Sequence, residues 1–418
     1  MGEDGTARLT QVFRVREFRA IWVADLISVA GDQLARVALA VLVYGRTGSA
    51  TWAAGAYALT FLPAVLGGVL LSGVADRFRR REVMLACDVL RAVPAGLMAV
   101  PGLPLPVVCA LLVVMVLLGA PHTAARGALL PGVLPGDLYE RGLAVIQMST
   151  QTAQLVGFAT GGLLVAAFTP GTALLLDAAS FLLAGVVVRL GLRDRPRPEP
   201  ADGRGRGHWR DMVDGIVDIA TDRRRRALVA LVCMIGCYVV PEALAAPYAA
   251  ELGLGGAAVG LLMAADPLGS VVGAWLFVRF VPARRRPGLV GIIAVAAGMP
   301  LLFVGLRPGL VVTMVLWSLS GMLSTAYLMQ AQASFVRATP ERIRGRAVGV
   351  AASGIIAGQG VAMLGGGLLA DLTGPAAAIT VSGALGIVLA TAGAVAWYRA
   401  GTERRAQPSV TVVSRQNG

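Results

Sequence analysis

The chain has 418 residues, 56% of them hydrophobic and 15% charged, and its mean hydropathy is +0.72. Soluble chains run near a quarter charged, so an apolar excess spread along the whole length excludes a disordered protein and a soluble enzyme on a single anchor. The net charge of +13 would suit a nucleic-acid binder, but every cation is an arginine and most lie in short runs between apolar stretches.

The opening run MGEDGTARLTQVFRVREFRA lacks the charged-then-apolar layout of a cleavable signal, so the first apolar stretch is expected to stay as a span. A bilayer core of roughly 30 Å takes about 20 apolar residues per helix, and that window predicts twelve spans. Span 1 (18–44) carries Asp25, Asp32 and Arg36, which fall within a ~40° sector at ~100° per residue. Charges inside a span cost several kcal/mol. The face reads either as a proton site centred on Asp32 with Arg36 beside it, or as buried salt bridges that lock the helix to its neighbours. Span 2 (52–75) ends at Asp76, Arg77 and Arg80; span 3 (82–101) holds Asp88 and Arg91 at i, i+3. Span 4 (104–122) ends at His122, a candidate for titration near neutral pH or a structural contact, and Arg126 lies just beyond it.

Span 5 (140–168) lines up Gln147, Gln151 and Gln154 at spacings of four and three, as a cavity wall or as interhelical packing. Span 6 (171–192) contains Asp177, expected to be a structural polar contact. The stretch 193–225 is a polar linker, Pro/Gly-rich at first and then amphipathic, with Trp209, Met212, Val213, Ile216, Val217 and Ala220 on one side and aspartates on the other. Spans 7 (226–250) and 8 (257–281) carry Glu242 after Pro241 and Asp266 before Pro267, acids beside helix breaks and so candidates for proton or substrate binding. Spans 9 to 12 follow at 288–306, 308–332, 345–371 and 374–398.

With both termini on the cytoplasmic side, all arginines but four fall at cytoplasmic ends, loops or tails; Arg46 and Arg307 face out, and Arg36 and Arg91 lie within spans. The chain also repeats at an offset of 205: Arg79-Arg80-Arg81 onto Arg284-Arg285-Arg286, Pro135 onto Pro340, Arg141 onto Arg346, and Gly161-Gly162-Leu163-Leu164 onto Gly366-Gly367-Leu368-Leu369. These observations imply an all-α membrane protein of two six-helix halves. The expected boundaries are 1–192 for the first half, 193–225 for the linker, 226–398 for the second half and 399–418 for the tail. Such repeats mark secondary transporters, which bind near the midplane between halves. Cys87, Cys109, Cys233 and Cys237 sit in apolar stretches, and no metal spacing, phosphate loop or nucleophile–base pair occurs. No metal, cofactor, enzymatic chemistry or nucleic-acid partner is therefore expected.

Residues 71–92, LSGVADRFRRREVMLACDVLRA, resemble the loop between helices 2 and 3 of the major facilitator superfamily, whose signature runs G-x-x-x-D-R-x-G-R-R. Asp76, Arg77 and Arg80 match, while Ser72 and Arg79 replace the glycines. The opening FRAIWVADLISVAGDQLARVALAVLVYGRTGSA, the run ARGALLPGVLP, TALLLDAASFLLAGVVV and ERIRGRAVGV are similar to its macrolide-efflux and enterobactin-exporter-like drug transporters. The G-P-x-x-G-G of many such exporters reads Gly157-Phe158-Ala159-Thr160-Gly161-Gly162 here, without the proline. The resemblance implies the twelve-helix fold and, in the inner or plasma membrane of a bacterium, proton-coupled export of amphiphilic drug-like or natural-product molecules by a monomer. It also implies a cytoplasmic gate of Asp76 and Arg80, to which Arg77, Asp88, Arg91 and Arg126 would add. A lysolipid flippase or uptake facilitator of the same fold is one rival, and a non-transporting membrane sensor or scaffold another.

Overall fold

The computed structural model describes residues 10–71, 73–196, 208–282 and 284–406, in which helices account for nearly every element and no strand occurs. After a 3-10 turn at Gln11–Arg14, α1 spans Arg16–Thr47. A rod in two pieces, α2 (Ala50–Ala58) and α3 (Leu62–Leu71), is followed by the single turn α4 (Val74–Arg77). The first group closes with α5 (Arg80–Met98), α6 (Leu105–Val133), α7 (Asp137–Ala167) and α8 (Pro170–Gly191). A short helix, α9 (His208–Ala220), leads to a rod in three pieces, α10 (Arg223–Cys233), α11 (Ile235–Ala243) and α12 (Ala245–Glu251). The second group continues with α13 (Gly256–Phe280), α14 (Arg286–Leu302), α15 (Leu310–Ala338), α16 (Glu341–Thr373) and α17 (Pro375–Ala406).

The repeat is visible in the helix bounds. Leu105 and Leu310 open α6 and α15, Val133 and Ala338 close them, and Pro170 and Pro375 open α8 and α17. A proline suits the first helical position, where its missing N–H has no intrahelical partner to lose.

Among the described residues, ten helices, some of them rods of joined pieces, are long and apolar enough to cross a membrane, fewer than the twelve expected. The windows 82–101 and 140–168 fold as α5 and α7, of 19 and 31 residues, so length is not what they lack. Their polar content sets them apart: α5 carries Arg80, Arg81, Glu82, Asp88 and Arg91, and α7 carries Asp137, Glu140, Arg141 and three glutamines. α5 packs within the first group, against α6 and α8, whereas α7 packs against α1 and, across the groups, against α13. Large apolar side chains such as Leu70, Leu190, Val311 and Leu372 point outward around the bundle, as a lipid-facing surface requires.

The breaks have local causes. Pro241 has no N–H to donate to the carbonyl of Cys237 one turn back, and Ser382 Oγ of α17 donates to that carbonyl instead, at 2.6 Å. Pro63 follows the break at 59–61 between α2 and α3. The two broken rods face each other across the groups.

Helices α7 and α13 cross backbone to backbone at Gly162 and Gly260. A Cβ built on Gly260 would sit 2.4 Å from the Gly162 Cα, so only glycine permits this approach. At the same end, Ser49 Oγ donates to Asp371 of α16 at 2.7 Å, and the Ala50 and Thr51 amides donate to it at 2.6 and 3.1 Å. The opposite end carries α9. There α9 is tied to α16, where Arg346 bonds Asp214 at 3.4 Å and also Asp218, while Val213, Ile216 and Val217 stay exposed.

Candidate functional site

Three polar layers occupy the middle of the bundle. In the first group, the two acids of α1 are each held by a guanidinium from a neighbouring helix. Arg91 of α5 donates to both oxygens of Asp32, at 3.0 and 3.2 Å, and its guanidinium stacks 4.0 Å over the Phe181 ring of α8. Arg126 of α6 pairs with Asp25. The salt-bridge reading of the α1 face thus describes the geometry of both acids. The expected Asp32–Arg36 neighbourhood does not: Arg36 donates to Gln33 Oε1 at 3.2 Å and lies 5.1 and 5.9 Å from the ring centres of Phe61 and Tyr57.

Deeper in the same group are two fully buried carboxylates without a guanidinium. Both oxygens of Asp88 lack a hydrogen-bond partner, with His122 Nε2 3.4 Å away. Asp177 lies against Gly31 of α1, and Ser180 Oγ donates to its backbone carbonyl at 2.8 Å. His122 thus belongs to the acid cluster.

The second layer crosses between the groups. Tyr57, at the end of α2, donates its hydroxyl to Glu242 Oε2 of α11 at 2.7 Å. Each residue stands beside the break in its own rod, so side chains of both groups converge where backbone carbonyls are freed. Arg36 approaches this pair from α1. The third layer is Asp266 of α13, hydrogen-bonded to Ser270 one turn on, which in turn accepts from Thr325 Oγ1 of α15 at 2.7 Å.

The glutamines divide by face. Gln147 is exposed, and Gln151 and Gln154 are half-buried. Gln151 lies eleven residues before Gly162, close to three full turns, and so faces the α13 side; Gln147 and Gln154 lie two and one heptads before Gly161, whose face meets α1 at Leu34. One glutamine of the three is directed toward the second group.

The expected gate is not one cluster. Arg77 is exposed, Arg80 Nη1 donates to the Ala128 carbonyl near the end of α6 at 2.8 Å, and the Asp76 side chain lies outside the described ones. Asp88, Arg91 and Arg126 belong to the buried layer around α1, because a guanidinium on α5 or α6 reaches a carboxylate on an adjacent helix and satisfies a charge that the interior would otherwise penalise. Sequence reasoning missed Tyr57 and Asp371. Tyr57 gave a faint signal, as a tyrosine four residues before Phe61 in a rod about to break at Pro63. Asp371 gave a better one: a carboxylate in the last turn of a helix opposes that helix's dipole, so it serves something else.

The family model of the Major Facilitator Superfamily matches residues 21–304 and 227–415. The chain belongs to that superfamily. It is a multi-pass membrane transporter and not an enzyme. An uncharacterized MFS-type transporter of Bacillus subtilis (strain 168), YkuC, is 26% identical over 184 residues, 43% of this chain and 42% of the relative. Macrolide efflux protein A of Streptococcus pyogenes is 22% identical over 178 residues, 42% of this chain and 44% of the relative. The transporter thus spans less than half the length of the curated relatives it matches. Among solved structures, a bacterial homolog of the human lysosomal transporter Spinster, inward-facing and occupied, superposes with a TM-score of 0.70 at 14% identity, covering 92% of this chain and 96% of that one. A POT family transporter in complex with a thioalcohol-conjugated peptide gives 0.74 at 13% identity, with coverages of 92% and 96%. At such identities the likeness concerns the fold.

Proposed function

We propose that this transporter exports amphiphilic drug-like or natural-product molecules in exchange for protons across the inner or plasma membrane of a bacterium. In this reading α5 and α7 cross the bilayer with the ten apolar rods, giving twelve spans with both termini in the cytoplasm. The cleft then opens to the cytoplasm, and the end with Asp371 and the two glycines is the outer seal. The transporter works as a monomer.

The observation that carries the reading is the Tyr57–Glu242 bond. It places an acid at the junction of the two groups, beside broken helices and under a guanidinium, where a change of protonation and a change of packing are coupled. The interior offers acids for the purpose: Asp25, Asp32, Asp88, Asp177, Glu242 and Asp266 share it with three guanidiniums, Arg36, Arg91 and Arg126. A buried charge without a counter-charge is neutralised by a proton. Asp88 and Asp266 act in this reading as further proton holders, and Gln151 as a donor and acceptor in the substrate cleft. The relation to macrolide efflux protein A supports the choice of substrate class.

The test is transport in inverted vesicles with an imposed pH gradient, using a panel of macrolides and other amphiphiles. Substrate-driven proton movement is expected from the native transporter and to be lost in Glu242→Gln, with exchange of substrate for substrate retained. Proton movement undiminished in that variant removes Glu242 from the coupling, and a panel in which nothing moves refutes the export reading.

A further inference from the structure

At the α9 end of the second group, the ends of α10, α14, α15, α16 and α17 frame a half-open cavity of about 510 Å³. It lies wholly within that group and so off the cleft between the two. Arg224, Arg337 and Arg344 line it together with Ser334, Thr339 and Trp397.

The fold does not demand this hollow. Because α6 and α15 share their bounds at the repeat offset, as do the starts of α8 and α17, the equivalent junction of the first group can be read off residue by residue. There Leu129, Leu134 and Leu192, only 3%, 0% and 3% exposed, stand where the second group has Ser334, Thr339 and Trp397. Gly132 and Tyr139 stand where it has Arg337 and Arg344. One copy is packed shut with leucine; the other is opened by hydroxyls and, beside Arg224 (Arg19 in the first copy), given two further guanidiniums.

Those guanidiniums are poorly served. Arg224 stacks 4.5 Å over the Trp397 ring, and its Nε and that of Arg344 are enclosed without an acceptor. Arg337, at the exposed mouth, makes only a long bond, 3.5 Å, to Ser334 Oγ. Among the described residues no carboxylate pairs with any of the three, and Glu341 at the start of α16 is exposed. Enclosed donors without acceptors are costly, and three like charges round one space repel one another unless an anion sits among them.

We propose that this cavity binds a phosphate-type oxyanion, held by the forked guanidiniums of Arg337 and Arg344, with Arg224 braced on Trp397 as the third donor. The fork matches phosphate oxygens two at a time, which a lysine cannot do. The volume takes a phosphate with the polar group attached to it. An anionic phospholipid headgroup and a soluble phosphate compound share this chemistry. Occupancy ties together the ends of the helices that frame the cavity and stiffens the second group independently of transport.

The experiment uses the full-length transporter in nanodiscs of phosphatidylcholine, alone or with an equal part of phosphatidylglycerol, and hydrogen exchange of residues 334–344. Slower exchange with phosphatidylglycerol supports the lipid source; slower exchange on adding pyrophosphate to phosphatidylcholine discs supports the soluble one. Arg337→Gln with Arg344→Gln is expected to weaken the effective probe by about tenfold or more, and Arg284→Gln with Arg285→Gln, on the exposed loop nearby, to leave it unchanged. If the glutamine pair does not fold, the pair Arg337→Lys and Arg344→Lys keeps the charge, loses the fork and is expected to bind several-fold more weakly. No protection by either probe overturns the proposal, as does equal loss in the loop variant, which would mean general charge attraction.

Discussion

Replacing Gly260 with alanine is expected to open the seam at the Asp371 end. The added Cβ would stand 2.4 Å from the Gly162 Cα and 2.5 Å from the Phe158 carbonyl oxygen, backbone atoms that cannot rotate away. Carbon contacts settle near 3.5–4.0 Å, so α7 and α13 must part by about 1 Å where they cross. Overpacking of this kind costs about 1–3 kcal/mol. The cost falls only on the arrangement in which the two helices touch, so the ratio of shut to open molecules drops by about 5–150-fold. Spin labels at Phe168 and Leu254, on a background without the four native cysteines, report the separation by pulsed electron resonance. Gly365→Ala is the control, because a Cβ there meets nothing within 4 Å. A distance distribution for Gly260→Ala that matches the control would refute the argument that this contact holds the seam.

Arg91→Met is expected to destabilise the transporter by about 3–5 kcal/mol, since it strands Asp32 in the interior; thermal unfolding in detergent measures this, and adding Asp32→Asn to the same chain should restore much of the loss. Asp371→Asn keeps the oxygen but removes the charge-assisted bonds to Ser49, Ala50 and Thr51, so exchange of the Ala50 and Thr51 amides should speed up several-fold, and unchanged exchange would show that the cap does not depend on charge.

The family and the repeat were legible in the sequence because both are written in short local strings: the Asp76-Arg77 motif and the matched glycines and arginines at one offset. The candidate site was legible only in its inventory. Asp25, Asp32, Glu242 and Asp266 stand out as charges in apolar runs, but their partners lie on other helices. Helical spacing placed Asp32 beside Arg36, whereas the long Arg91 side chain reaches Asp32 from α5 and Arg36 turns to Gln33. Periodicity describes one helix at a time and is blind to the helix opposite. The same blindness scattered the expected gate, since i, i+3 spacing joined Asp88 to Arg91 while tertiary contact sent Arg91 to α1. Strict apolar windows also undercount α5 and α7, because Asp88 and Arg91 of α5 are buried against other helices and α7 carries three glutamines.

The cap shared across the seam has a bearing on how the molecule can cycle. Ser49 holds two roles at once: its hydroxyl donates to Asp371 of the other group and accepts from the Trp52 amide of its own helix at 3.3 Å. When the groups part, the borrowed carboxylate leaves, but the serine remains an ordinary N-terminal cap, and water can serve the two freed amides. The helix is thus spared from unravelling each time the mouth opens. The fastening behaves like a button rather than a weld, undone and redone without wear on the cloth.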